Sequence, residues 1–167
     1  MYRSVEDFVA DWKYEIDATE TLLGELTDAS LSRKVYKKGR TLGYIAWHLT
    51  ITIVQTMAQA GVKVESPPDL QSDAPETADE IRIAYSKTSI SALKQIGRKW
   101  LDSELEMEVT MYGTTLTRGK LLSSLILHQA HHRGQMTVLM RQAGLKVTGI
   151  YGPAKEEWSS MGMQPMK

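Results

Sequence analysis

The chain contains no cysteine, which rules out a disulfide framework and is compatible with a reducing compartment. No segment approaches the roughly 20 uninterrupted apolar residues of a membrane span. The first residues, Met1-Tyr2-Arg3-Ser4-Val5-Glu6-Asp7, carry charge where a secretory leader is apolar. A cytoplasmic protein without a membrane partner is the expectation. Net charge is missing as well, because 20 lysines and arginines balance 20 aspartates and glutamates. Nucleic-acid binding draws most of its non-specific affinity from a basic surface, so the balance argues against a nucleic-acid partner. The one basic concentration, Arg33-Lys34-Val35-Tyr36-Lys37-Lys38-Gly39-Arg40, holds a single aromatic. It reads as a solvated interhelical loop, with a phosphate or acidic-substrate contact as the alternative. Internal repeats and low-complexity tracts are absent too.

What remains is a chain of 167 residues, enough for one domain with a proper core. Phe8, Trp12, Ile16, Leu22, Leu23 and Leu26 recur at helical steps, so a first amphipathic helix is expected from about Ser4 to Leu26. Thr41 can cap a second, which runs to about Ala60 and stops at Gly61. The pattern dissolves between Val62 and Thr77, where three prolines mark a long crossover loop. A third helix is expected from about Ala78 to Leu101, with Thr77 and Glu80 as a capping box. The period then changes to two at Leu105, Met107 and Val109; Tyr112-Gly113 can turn the chain into a short hairpin. Thr117 caps the last long helix, which ends near Ala143 before Gly144 and reads as apolar almost all round, hence central and buried. The fold class is therefore all-α: a four-helix bundle with a long crossover connection and a short β-hairpin before the last long helix. Residues 1–146 form the bundle, and residues 147–167 form a C-terminal tail expected to pack on it. That tail carries one short helical turn around Ala154 to Trp158 and a methionine-rich end expected to be disordered.

Histidine is scarce, yet three of the four histidines fall in the run His128-Gln129-Ala130-His131-His132, with His48 alone on the second helix. A four-residue step turns a helix to within roughly 40° of its starting direction, so His128 and His132 project from one face, shared with Leu121, Leu125, Gln135 and Leu139. Two imidazoles in an apolar stripe need partners for their ring nitrogens. A shared metal ion satisfies one nitrogen of each. His131 is offset to the other side and reads as a boundary or supporting histidine. Gln135 is placed to orient a bound water or a ligand ring. Gly134 in mid-helix suggests a close helix approach, and Arg133 an ion-pair or surface residue. On the second helix Tyr44, His48, Thr52 and Gln55 form a polar arc that either faces water or lines a polar cavity. No carboxylate lies within one turn of His128 or His132 to serve as a general base, as one does in a His-Glu-x-x-His helix. Glu15 and Asp17 of the first helix are the acidic candidates for an approach to the site in space.

The segment Leu42-Gly43-Tyr44-Ile45-Ala46-Trp47-His48-Leu49 resembles the second helix of the DinB-like family, in the superfamily that also holds the YfiT-type metal-dependent hydrolases. So does Leu127-His128-Gln129-Ala130-His131-His132-Arg133-Gly134-Gln135 on the fourth, preceded by the hairpin Val109 to Thr117. The resemblance runs along most of the chain. It implies a bundle whose metal ligands are His48, His128 and His132, leaving coordination positions for water or substrate, as in catalytic rather than structural sites. One divalent ion is implied, zinc or nickel foremost, although imidazole also suits copper and iron. His131, Gln135, Tyr44, Thr52 and Gln55 are the candidates to support the ligands or line the substrate cavity. Members of the wider superfamily include S-transferases and an isomerase that use low-molecular-weight thiols. The resemblance thus implies a thiol S-transferase or hydrolase acting on a small molecule, as a homodimer. Two other readings stay open at this level: a non-catalytic metal or small-ligand binding module, and a bundle whose histidines form a buried hydrogen-bonded cluster.

Overall fold

The computed structural model describes residues 1–164. Four helices carry it: α1 Val5–Gly24, α2 Leu42–Gln59, α3 Ala78–Lys99 and α4 Arg118–Gln142. Each begins at a hydroxyl cap. Ser4, Thr41, Thr77 and Thr117 accept the backbone N–H of Asp7, Tyr44, Glu80 and Lys120 in turn, so one orphan donor of every first turn is satisfied. α4 stops where Gly144 takes a left-handed φ of +76°, a conformation that glycine enters without the Cβ penalty.

α1 packs on α3 and α4, and α2 packs on the same two, so α1 and α2 stand diagonally across the bundle. That arrangement needs the long connection between α2 and α3, whose Val62 and Val64 are buried against the core. The inward side chains are those the helical period selects: Phe8, Trp12, Leu22, Leu42, Leu49, Ile53, Ile81, Tyr85, Ile96 and Leu122 are all fully buried. Leu105 does not begin a strand. The period-two stretch opens as a 3-10 helix over Asp102–Glu106 that buries Leu105, and pairing starts only at Glu108. Strands β1 Glu108–Met111 and β2 Thr114–Thr117 form the hairpin. Tyr112 and Gly113 make its two-residue turn with φ of +50° and +76°, the pair of left-handed conformations that suits a strand's twist.

α4 is not buried all round. Leu127 is 66% and Val138 49% exposed, because α4 meets α2 and α1 on one side only and its opposite arc faces outward. Gly134 does not mark a close approach either, since a Cβ there would meet nothing within 4 Å. Close approaches occur instead at other glycines, among them Gly97 of α3 against Val9 of α1, Gly43 against Leu31, and Gly119 against the Tyr2 carbonyl. The tail buries Val147 and forms a 3-10 helix over Lys155–Met161, longer than the single turn around Ala154 to Trp158. The expected disorder of the methionine-rich end falls in part on residues 165–167, outside the described residues.

Candidate metal centre

The ligand helices are held in register by a buried glutamine. Gln129 is fully buried; its side-chain amide donates to the Leu49 carbonyl at 3.1 Å, and its side-chain oxygen accepts from the Tyr85 hydroxyl at 3.4 Å. Because Leu49 and Gln129 follow His48 and His128, this bond fixes α2 against α4 beside the histidines. The sequence signal was a glutamine within an apolar stripe, which periodicity alone cannot separate from a boundary residue.

His48, His128 and His132 converge. One ring nitrogen of each lies within 4.8 Å of the others, and ring centroids are 4.3 to 5.1 Å apart. The Nε2 atoms of His128 and His132 are 3.1 Å apart. Two imidazoles on a tetrahedral ion at 2.0–2.1 Å would hold their nitrogens about 3.3 Å apart, so the pair already stands near that spacing. His132 is only 6% exposed, and His48 and His128 are half-buried. Burial first, and then the neighbouring imidazoles, hold His48 and His128 down to about 4. His132 is lowered too, again chiefly by burial. All three rings are therefore neutral at pH 7, the state a metal ligand requires.

Gln135 sets the direction of His132. Its side-chain oxygen can only accept, so the 2.8 Å contact with His132 Nδ1 places the proton there. Nε2 is left with its lone pair towards the other two rings. The amide nitrogen of Gln135 donates in turn to His131 Nε2 at 3.1 Å. His131 is exposed and lies outside the converging trio, its ring edge-on to His132 at 5.0 Å. His128 Nδ1 is buried without a hydrogen-bond partner, a cost of about 1–3 kcal/mol in an ordinary core. The donor set, three neutral imidazoles with one ring aimed by an amide, fits a divalent ion.

The polar arc of α2 divides around His48. Tyr44, one turn before it, is exposed and stacks on the imidazole with centroids 6.0 Å apart, and the Arg40 guanidinium lies 4.8 Å above the Tyr44 ring. Thr52 is buried one turn after His48, and Gln55 is exposed beyond it. Both line a cavity of about 290 Å³ that also reaches His128.

Neither acidic candidate of α1 joins the site. Asp17 is exposed, and Glu15 is consumed elsewhere. Arg133 is 3% exposed and donates to Glu15 Oε2, to Thr19 Oγ1 at 2.8 Å and to the Tyr151 hydroxyl. Tyr151 donates to the other oxygen of Glu15 at 2.7 Å, and its phenol is pushed up to about 12 by burial and that carboxylate. This buried ion pair ties the tail to α1 and α4. Among the described residues, the metal-capable group contains no carboxylate.

A bundle whose second and fourth helices aim three neutral imidazoles at one point defines a class, that of helical proteins with a histidine centre able to hold a metal ion. The chain belongs to the DinB family, whose model matches residues 1–166. It is similar to the uncharacterised protein YrdA of Bacillus subtilis strain 168, with 40% identity over 167 residues covering 100% of this chain and 99% of that protein. A DinB-like protein from Bacillus cereus ATCC 10987 shares the fold with a TM-score of 0.86 and 38% identity, covering 90% of this chain and 100% of that one. A second DinB-like protein, YjoA of Bacillus subtilis, matches with a TM-score of 0.68 at 15% identity over 89% of this chain and 99% of its own, a likeness of fold alone.

Proposed function

We propose that this protein is a metal-dependent enzyme that holds one divalent ion, zinc or nickel, on His48, His128 and His132 and transforms a small molecule by thiol transfer or hydrolysis. The convergence of three ring nitrogens within 4.8 Å carries the reading. When bound, the ion supplies Lewis acidity that lowers the pKa of a coordinated thiol or water. His48, His128 and His132 are neutral donors, so they leave the ion's charge uncompensated and favour an anionic further ligand. Arg40, through its place over Tyr44 beside His48, adds positive charge on that side. Gln135 keeps the His132 proton on Nδ1, away from the reacting position. A low-molecular-weight thiol is the co-substrate favoured by this charge balance. The protein acts in the cytoplasm without a nucleic-acid partner, as a homodimer for which Leu127 and Val138 supply apolar surface on α4. No helix among the described residues is long and apolar enough to cross a membrane.

Elemental analysis of purified protein and of His48→Ala, His128→Ala and His132→Ala tests the site, with near-stoichiometric metal expected in the parent and loss in each variant. Metal content unchanged in any one removes that residue from the set. A panel of thiols with electrophilic or hydrolysable substrates tests the reaction, and activity that survives chelation contradicts it.

A further inference from the structure

The histidine centre has two unlike sides. α2 and α4 run antiparallel, so residues that follow His48 on α2 face residues that precede His128 on α4. On one side, before His48, stand Tyr44 and the Arg40 guanidinium. On the other, the cavity of about 290 Å³ opens between α2, α4 and the hairpin, with His128 at its inner end. Its walls include Met111, Leu116, Leu121 and Leu125, with hydroxyls from Thr52 and Ser124 and the amide of Gln55. Its lining contains no aspartate, glutamate, lysine or arginine. The Thr52 and Ser124 hydroxyls donate to their own helices, to the Leu49 and Lys120 carbonyls. They therefore present acceptor lone pairs rather than free protons to the cavity.

The hairpin adds an independent observation. Tyr112, 89% exposed at the cavity mouth, holds a left-handed φ of +50°. Glycine or asparagine takes that turn position at lower cost. A large aromatic kept there against local preference is what a binding edge would require.

We propose that this cleft is the subsite for the second substrate of the centre and that it takes an uncharged, largely apolar small molecule, with the hairpin as its specificity wall. The assignment rests on the metal-centre reading for its role in a reaction, while the binding preference stands on the cleft alone. Away from the histidine end, a charged group among Met111, Leu116, Leu121 and Leu125 would be buried without a counter-charge, a cost the uncharged ligand avoids.

A matched pair of fluorescent probes tests this. N-phenyl-1-naphthylamine is uncharged, and 8-anilino-1-naphthalenesulfonate carries the same skeleton with an added anion. Titrations of the full chain, with and without zinc, should show the uncharged probe binding at least about tenfold tighter. Leu116→Glu should weaken it about tenfold. Tyr112→Asn, which suits the turn and spares the fold, should weaken it about threefold. Ile83→Glu, at an exposed position of α3 outside the cleft lining, should change nothing, and zinc content should be equal in all variants. Equal affinity for the two probes, or binding indifferent to both Leu116→Glu and Tyr112→Asn, overturns the proposal. If Leu116→Glu does not fold, Tyr112→Asn decides. Failure of the metal reading shows separately, as a parent protein that takes up no zinc while its probe binding is unchanged.

Discussion

His132 and Arg133 are neighbours on α4, both buried, and they enter opposite kinds of polar cluster. Arg133 is answered by three residues from two elements: Glu15 and Thr19 of α1 and Tyr151 of the tail. Both oxygens of Glu15 are taken, by Arg133 and by Tyr151. His132 meets only Gln135 and another imidazole, and His128 Nδ1 has no partner. The first cluster pairs opposite charges that the chain itself supplies, with Arg133 Nε alone left without a partner. The second leaves lone pairs converging on a point that the chain leaves to another species. An internal counter-charge, more than burial, separates the structural cluster from the candidate site: Arg133 has Glu15, whereas the three histidines have no carboxylate among them.

The comparison can be broken most forcefully at Arg133. Arg133→Ala strands a buried carboxylate and should lower the unfolding free energy by about 3–5 kcal/mol in urea denaturation. The double variant Glu15→Leu with Arg133→Met should recover most of that loss. His48→Ala should shift stability of the metal-free protein by about 1 kcal/mol or less. A cost at His48 as large as that at Arg133 would mean the trio is structural. Gln135→Leu removes the partner of His132 Nδ1 and should weaken zinc binding about 10–100-fold in calorimetry, with the secondary structure unchanged by circular dichroism.

Much of this contrast was not legible in the sequence. The helices were, because Phe8, Trp12 and Ile16 or Ile81, Tyr85 and Ile96 repeat at helical steps and Thr41, Thr77 and Thr117 stand where caps belong. The directions of His128 and His132 followed from spacing, and the inclusion of His48 rested on family resemblance. The rest depended on which helices are neighbours. Periodicity does not reveal that α4 contacts others on one side only, so Leu127 and Val138 read as core. Nor does it show that Glu15 meets Arg133, a pair 118 residues apart. The role of Gln129 depends on the Leu49 carbonyl of another helix, 80 residues away in sequence. At Leu105 the alternation was real, but Glu104 and Arg118 hold the turn as a 3-10 helix, through the Leu101 N–H and a 3.3 Å ion pair.

Acid should reveal the open cluster. His48 and His128 titrate near 4 in the folded chain against an ordinary 6.5, so between those values the unfolded chain binds more protons. Their contribution to stability is therefore full above about 6.5 and is lost as pH falls towards 4. Denaturation of metal-free protein across that window should show stability declining with acid, and His48→Asn should flatten the decline. The smallest effect is at Gly134, where a Cβ meets nothing. Gly134→Ala should stabilise α4 by about 0.5–1 kcal/mol in thermal or urea unfolding.

The central claim is that the three imidazoles form one shared ion site rather than a hydrogen-bonded cluster. Urea unfolding of the parent and of the His48, His128 and His132 alanine variants, with and without zinc at about 100 times the parent's Kd, tests it most directly. Zinc should raise the parent's unfolding free energy by about 2.7 kcal/mol and leave each variant nearly unmoved. A parent indifferent to zinc, or one alanine variant that keeps the full increment, would contradict the account.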